Sequence, residues 1–382
     1  MHRSVGCQNH ERSISRCILA CVTALSLALS ACSSAGPRRV SGDRFDYNEA
    51  IARSGKDQML TNIVRFRYLD FPVFMAVSSV ITSYSFEGGV AIGGTSGLPE
   101  ALGGDGVSAD ANVAYAERPT ITYAPLSGQE FTRRMLTPIP VEAIFALGQT
   151  GWDIEMLLFT GINRINDVEN MSFEVAPPPG DAEKHQRWQE AMAQLREFRR
   201  VVELLVQLAD QEVIELQRAD DGSSIAKLVF DDDLGQEFLP AIDELRKLLD
   251  LAPEHDVFLV TTRMTRRKPE EVAIHSRSLL AIMSFLAKGV ETPDVHLSSG
   301  WVESLPTLNE EDGASNLPLR IRSQKDQPTN AFAAIKYLGH WFYVDQADLQ
   351  SKAAFQMLLA LFELQAPAGG ANAPMLTLPA GG

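Results

Sequence analysis

The chain has 382 residues, 45% hydrophobic and 22% charged, with a formal net charge of −15. That length suits about two domains of ordinary size, and the acidity argues against nucleic acid or an anionic lipid surface as a general partner. All four cysteines, Cys7, Cys17, Cys21 and Cys32, fall in the first 32 residues, which excludes a disulfide framework in the body.

Residues 1–31 read as an export signal. Arg3, Arg12 and Arg16 precede an uncharged apolar run over 17–29, and small residues follow to Ala31. As a helix the run rises only ~20 Å against a hydrocarbon core of ~30 Å, so a signal is expected rather than a span. Leu29, Ser30, Ala31 and Cys32 resemble the lipobox recognised by bacterial lipoprotein signal peptidase. By that resemblance cleavage falls between Ala31 and Cys32, the Cys32 thiol is lipidated, and the new amino group is acylated, palmitate being the usual chain. Several chains on one residue imply durable attachment to a membrane. Ser33 stands where an aspartate favours inner-membrane retention in enterobacterial lipoproteins, so the same resemblance implies the outer membrane, facing the periplasm. Without residues 1–31 the chain keeps 351 residues and a net charge of −17.

Residues 33–44, rich in Ser, Gly and Pro, predict a linker that reaches at most ~40 Å. From Tyr47 the segment YNEAIARSGKDQMLTNIVRFRY sets Ile51, Met59, Ile63 and Phe66 near one helical face, until Pro72 ends the pattern. Strands are expected over 73–86 and 111–123, joined by a glycine-rich tip at 88–106. Ser79, Ser83 and Ser85 interrupt the apolar alternation of the first strand, so an exposed edge or tip is expected there. The chain then turns at Pro125 and Gly128 into a short helix, breaks at Pro138 and Pro140, and begins another ending near 148–151. Helix is expected to continue over 152–170. Pro177, Pro178, Pro179 and Gly180 mark a linker.

The second half opens on a long helix in which Trp188, Met192, Leu195, Val202, Leu205 and Ala209 recur at helical steps. Strands at 213–218 and 225–230 flank Asp220, Asp221 and Gly222, a hairpin signature. A helix over 237–251, a strand over 257–262 and a helix over 269–288 follow. Residues 317–323 and 332–344 predict paired strands, and a helix over 346–364 closes the domain. The sum is an α+β chain of mixed helices and small antiparallel sheets in two subdomains after a cleaved signal peptide. The expected divisions are a signal peptide at 1–31, a lipidated N-terminus and linker at 32–44, an N-terminal α+β domain with the long hairpin at 45–176, a Pro-rich linker at 177–183, a C-terminal α+β domain at 184–365, and a flexible tail at 366–382.

The residues that carry chemistry do not gather into a motif. His185, His255, His275, His296 and His340 lack the three- or four-residue spacing of a helical metal pair, and there is no nucleophile elbow, P-loop or dinucleotide fingerprint. The sequence therefore predicts no catalytic residue, no metal site and no cofactor. Asp231, Asp232 and Asp233 before Gly235 lack the spacing of a calcium loop and read as a solvated helix start. Arg263, Arg266, Arg267 and Lys268 read as a wet surface rather than a contact for an acidic partner. Two features are better candidates for interaction. One is the long tip at 88–106, either functional or mobile. The other is the run Gly339, His340, Trp341, Phe342 and Tyr343, where a strand sets His340 and Phe342 on one face and Trp341 and Tyr343 on the other; core packing is the plainer account of it.

Three segments, QMLTNIVRFRYLDFPVF, RPTITYAPLSGQEFTRRMLTPIP and IKYLGHWFYVDQADLQSKAAFQMLLALFELQA with its APMLTLP tail, resemble a family of uncharacterised proteobacterial envelope lipoproteins. The resemblance implies a membrane anchor but no activity and no catalytic residues. The expected function is a membrane-anchored, non-enzymatic envelope accessory or assembly protein that binds a protein partner. An oligomeric outer-membrane pore is the first rival, although the serine-rich first strand supplies a lipid-facing surface poorly. An envelope hydrolase is the second.

Overall fold

The computed structural model describes residues 35–95, 106–170, 182–218, 226–230, 237–263, 265–266, 268–303, 317–365 and 376–379, with backbone alone for 35–43, 82–95, 106–119, 184, 218 and 376–379. The signal peptide, Ala31 and Cys32 lie outside the described residues, as do the acidic run 231–233 and the proline run 177–180. The chain divides into two units, Met1–Lys56 and Asp57–Gly382.

In the first unit every described residue belongs to helix α1 (Ala35–Arg67). Residues 35–44 are helical rather than the linker expected there. Pro37 sits in the first turn, where backbone N–H groups have no intrahelical acceptor, so its missing donor costs nothing. Ile51 is 40% exposed and Phe45 73% exposed, so Ile51 does not join a buried face.

The second unit begins with the last turns of α1, which bury Met59, Leu60, Ile63 and Val64 along one stripe. Strands β1 (Phe74–Thr95) and β2 (Gly106–Leu126) follow and pair antiparallel from Phe74↔Leu126 to Thr95↔Gly106. Both are longer than expected, because much of the glycine-rich tip is itself paired strand; the remainder, 96–105, lies outside the described residues. A bulge between Val77 and Ser79 shifts the phase of β1.

Next come α2 (Gln129–Leu136), α3 (Val141–Gln149) and α4 (Ile154–Gly161). Gly128 and Gly151 supply positive φ at the turns before α2 and after α3. The helix expected to run to 170 stops at 161 and gives way to β3 (Ile162–Ile165) and β4 (Val168–Glu169). Asn166 makes that turn at φ 50, a conformation its short amide tolerates. Its Oδ1 accepts from the Ala273 N–H at 2.8 Å and its Nδ2 donates to the Leu249 carbonyl at 2.7 Å.

Helix α5 (Ala182–Asp210) buries Met192, Leu195 and Val202 as expected, together with Phe198 and Leu204, whereas Ala209 is exposed. Strands β5 (Ile214–Arg218) and β6 (Ala226–Phe230) form the expected hairpin. Helix α6 (Leu239–Leu248) and strand β7 (Val257–Thr261) follow. The helix expected over 269–288 is instead strand β8 (Glu271–Ser276) and helix α7 (Leu279–Leu286) with a 3-10 turn at Ala287–Gly289. Val272 and Ile274 favour strand, β8 finds β7 as a parallel neighbour, and Ser278 caps α7 by accepting from the Ala281 N–H at 3.2 Å.

After α8 (Asp294–Ser298), strands β9 (Arg322–Gln324), β10 (Ala331–Tyr337) and β11 (His340–Asp345) form a sheet of order β10-β11-β9. Helix α9 (Leu349–Gln365) packs on it, and β12 (Leu376–Pro379) pairs with β2 from Leu376↔Tyr123 to Pro379↔Thr120. Those four residues, expected in a flexible tail, take up the free edge of β2.

Strands β4-β3-β8-β7-β6-β5 form one six-stranded mixed sheet. It corrects the expected division at 177–183, because β3 and β4 precede that stretch, β5 to β8 follow it, and β3 pairs directly with β8. One continuous apolar core runs from Met59 to Phe362. The fold is α+β, as the sequence predicts.

A buried cation holds the sheet to α4. Arg277, 4% exposed, donates to the carbonyls of Phe159, Thr160, Ile162 and Asn170 at 3.1, 3.0, 2.9 and 2.8 Å, and its guanidinium lies 4.3 Å from the centre of the Phe285 ring. Three of these acceptors are carbonyls at the end of α4, which lack a partner within the helix and carry its negative dipole end. Burial lowers the pKa of Arg277 to about 10, which still leaves it charged at neutral pH.

Candidate functional site

The most distinctive construction is the root of the β1–β2 hairpin. Two amides one turn apart on α1, Gln58 and Asn62, each hold one residue of the incoming strand as a neighbouring strand would. Asn62 accepts from the Val73 N–H at 2.9 Å and donates to its carbonyl at 2.8 Å. Gln58 does the same for Met75, at 2.7 and 3.1 Å. Between them Phe74, 3% exposed, stacks on Phe362 at 4.8 Å and meets Phe131 edge-on at 5.8 Å. At the bulge itself, the Ser78 hydroxyl donates to the Thr122 carbonyl at 3.1 Å. The root is thus fixed by a helix, an aromatic plug and the added strand β12.

Because successive strand residues alternate between faces, the register defines two faces at the root. Phe74, Thr122 and Ala124 are buried on one, while Met75, Val77, Val80, Ile121 and Tyr123 on the other are partly or fully exposed. Leu69, Phe71 and Val73, at 89%, 83% and 52% exposed, add apolar surface just before the strand. The bulge also accounts for the serines that broke the expected alternation. In the shifted phase Ser79, Ser83 and Ser85 occupy one face together with Ile81, and Val80, Thr82, Tyr84 and Phe86 occupy the other.

Below the root lies a buried aromatic and histidine cluster. His296, 1% exposed, accepts at Nδ1 from the Tyr68 hydroxyl at 2.7 Å, and Nε2 donates to the Leu338 carbonyl at 3.2 Å. Trp301 and His340 pack against its ring at 5.0 and 4.8 Å. Burial first, then the neighbouring His340, hold the His296 pKa below its ordinary value, and burial raises Tyr68 to about 12. Both groups are neutral at pH 7, and their donors and acceptors are already engaged, so the cluster is a structural lock. Tyr337, whose hydroxyl donates to Asp70, extends it towards the surface.

The other sequence candidates separate. In β11, Phe342 and Val344 are buried while Trp341 and Tyr343 are partly exposed, which is core packing on one face. The basic run is paired within the fold: Arg263 with Glu271 at 3.1 Å, Arg266 with Asp250, and Lys268 with Glu270 at 3.8 Å; Arg267 lies outside the described residues. A surface hollow of about 380 Å³ lies between α5 and α6, but its cation, Arg200, is held by both oxygens of Glu244 at 2.8 Å and by Glu203 at 3.2 Å. Among the described residues no group of three or more His, Cys, Asp or Glu side chains is placed to hold a metal, and no helix is long and apolar enough to cross a membrane.

Sequence reading missed Gln58 and Asn62. The available signal was Asn62 set between Leu60 and Ile63, a polar residue inside the buried stripe of the helix. No family model matches the chain, and no curated protein and no solved structure matches it.

Proposed function

We propose that this protein is a lipid-anchored, non-enzymatic component of the bacterial cell envelope, held to the outer membrane through Cys32 on its periplasmic face, which acts by engaging a protein partner with its β1–β2 hairpin. The observation that carries the reading is the hairpin. Of the 22 residues of β1 all but Ser78, at the bulge, pair with β2, far beyond the stretch that the body and β12 hold at the root. The lipobox residues Leu29 to Cys32 and the three segments resembling envelope lipoproteins support the anchor. The pairing of Arg200, Arg263 and Arg266 with carboxylates of the body supports a non-catalytic role.

The test joins mass spectrometry of the N-terminal peptide 32–38 with crosslinking in intact cells, comparing the parent chain with Cys32→Ala. The expected result is a peptide that begins at Cys32 and carries acyl chains, together with a crosslinked protein at the hairpin that Cys32→Ala depletes. An unmodified peptide overturns the anchor. Turnover of an envelope substrate by the purified chain, with no protein crosslinked to the hairpin, overturns the binding role.

A further inference from the structure

We propose that the hairpin's partner is the hairpin of further copies of this chain, and that several copies close a β-barrel across a bilayer. The inference rests on the membrane-anchored reading above and names the partner it left open.

Three observations converge. First, the register sorts the upper hairpin into two unlike faces. From Phe86↔Tyr115 to Gly94↔Val107 one face carries Phe86, Gly88, Val90, Ile92 and Gly94 opposite Tyr115, Val113, Ala111, Ala109 and Val107. None of these is charged. The other face carries Glu87, Gly89, Ala91 and Gly93 opposite Ala114, Asn112, Asp110 and Ser108, all small or polar, with two carboxylates among them. Apolar alternating with small polar is the pattern of a strand with lipid on one side and a wet lumen on the other. The apolar face continues the root face on which Met75, Val80 and Tyr123 are exposed or partly exposed, so it is not the face that packs on the body.

Second, the dimensions fit. The uncharged face extends over nine register positions, with five of the nine pairs on it, and a tilted barrel strand crosses the hydrocarbon in ~9–11 residues. Phe86 and Tyr115 pair at the root end of the band, and in the next pair on that face Tyr84 stands opposite Glu117, as aromatic girdles stand at a membrane interface where charge resumes.

Third, the edges are open. Among the described residues the outer edge of β1 has no strand partner, and β2 has one only at 120–123, where β12 pairs. An isolated two-stranded ribbon is marginal in water, and in lipid an unpaired N–H or C=O has no water to turn to, which forbids an open edge. Edge-to-edge pairing of identical hairpins satisfies both sides at once. Since each copy gives two strands and the smallest barrels have ~8, closure takes about four copies or more.

The experiment uses the full lipidated chain, extracted from membranes in mild detergent and reconstituted into vesicles of phosphatidylethanolamine and phosphatidylglycerol. The expected results are a homo-oligomer that resists unheated SDS, and stepwise conductance across planar bilayers of the same lipids. Val90→Asp, on the apolar face, is expected to lower the conducting fraction at least ten-fold. Ser85→Asp, on the polar face, is expected to leave it within two-fold. Asp110→Asn is expected to lower the cation-to-anion permeability ratio at least two-fold. A parent chain that is monomeric in detergent and does not conduct overturns the barrel whatever the variants do, and if its peptide 32–38 still carries acyl chains the anchor stands. Hairpin crosslinks that reach only a different protein also overturn it. Conductance from a chain with unmodified Cys32 keeps the barrel and removes the anchor.

Discussion

The six-stranded sheet and the β1–β2 hairpin treat their backbone edges in opposite ways. At one end the sheet closes with the two-residue β4, and at the other with β5, whose Glu215 and Gln217 are exposed and polar. Short edges and charged edges both discourage further pairing. The hairpin instead runs twenty-two residues with its outer edges unpaired over most of their length among the described residues. The sheet is a finished structure and the hairpin is an unfinished one. What separates them is where the polar groups find partners: in the sheet within the same chain, down to the four carbonyls on Arg277, and in the hairpin, beyond the root that Gln58, Asn62 and β12 hold, only between its own two strands among the described residues.

The comparison breaks first if the body does not depend on that internal pairing. Arg277→Met removes the donor to four carbonyls while keeping an apolar stem against Phe285, and a loss of about 3–5 kcal/mol is expected because buried acceptors lose charged partners. Arg277→Lys is expected to recover less than half of the loss, since a point charge cannot reach acceptors spread around a planar fork. Thermal unfolding of the detergent-solubilised chain measures both. A loss under 1 kcal/mol in the methionine variant would mean that Asn170, whose Nδ2 donates to the Phe159 and Ile162 carbonyls at 2.6 and 2.8 Å, together with water, suffices for these carbonyls.

Much of this was legible in the sequence, and the failures share one cause. The α5 stripe, the β5–β6 hairpin and the α+β class followed from periodicity and turn residues, which act locally. The strands β3, β4 and β8 did not, because the short runs around Ile162 and Val272 are equally good helix until a neighbouring strand is present to pair with. Pro37 misled in the other direction, since proline both ends helices and opens them. At the hairpin the serines read as defects in one face until the bulge after Val77 moved them together onto the other. A bulge leaves no signature in residue order alone, so the amphipathic character of the candidate site became visible only with the register.

Asn62 sharpens the boundary between the two regions. Its amide ties Val73 to α1, so Asn62→Ala unties the first residue before the hairpin without touching the six-stranded sheet. A cost of about 1–2 kcal/mol is expected, moderated because Val73 is half exposed and water replaces part of what is lost. By hydrogen exchange the Val73 amide is expected to open at least ten-fold faster, with the amides of β7 and β8 unchanged. Equal acceleration in both places would show that root and body unfold as one.

The smallest expected effect comes from His296, and it tests whether the body has its own pH dependence. Its folded pKa lies below the ordinary value near 6.5 for an unfolded chain, so as pH falls through 6.5 the unfolded state takes up a proton that the folded state refuses. Stability is therefore whole above that pH and declines below it until the folded histidine also titrates. His275, lowered by burial and by the charge of Arg164, adds a term of the same sign. Glutamine at position 296 can still accept from Tyr68 and donate to the Leu338 carbonyl without titrating. His296→Gln is thus expected to flatten part of the decline between pH 7.5 and 5 in urea unfolding and to leave the rest to His275. If the slope survives unchanged in the glutamine variant, the buried cluster does not sense pH. If hairpin exchange changes with pH in step with the body, the two regions are coupled through Tyr68 and the last turn of α1.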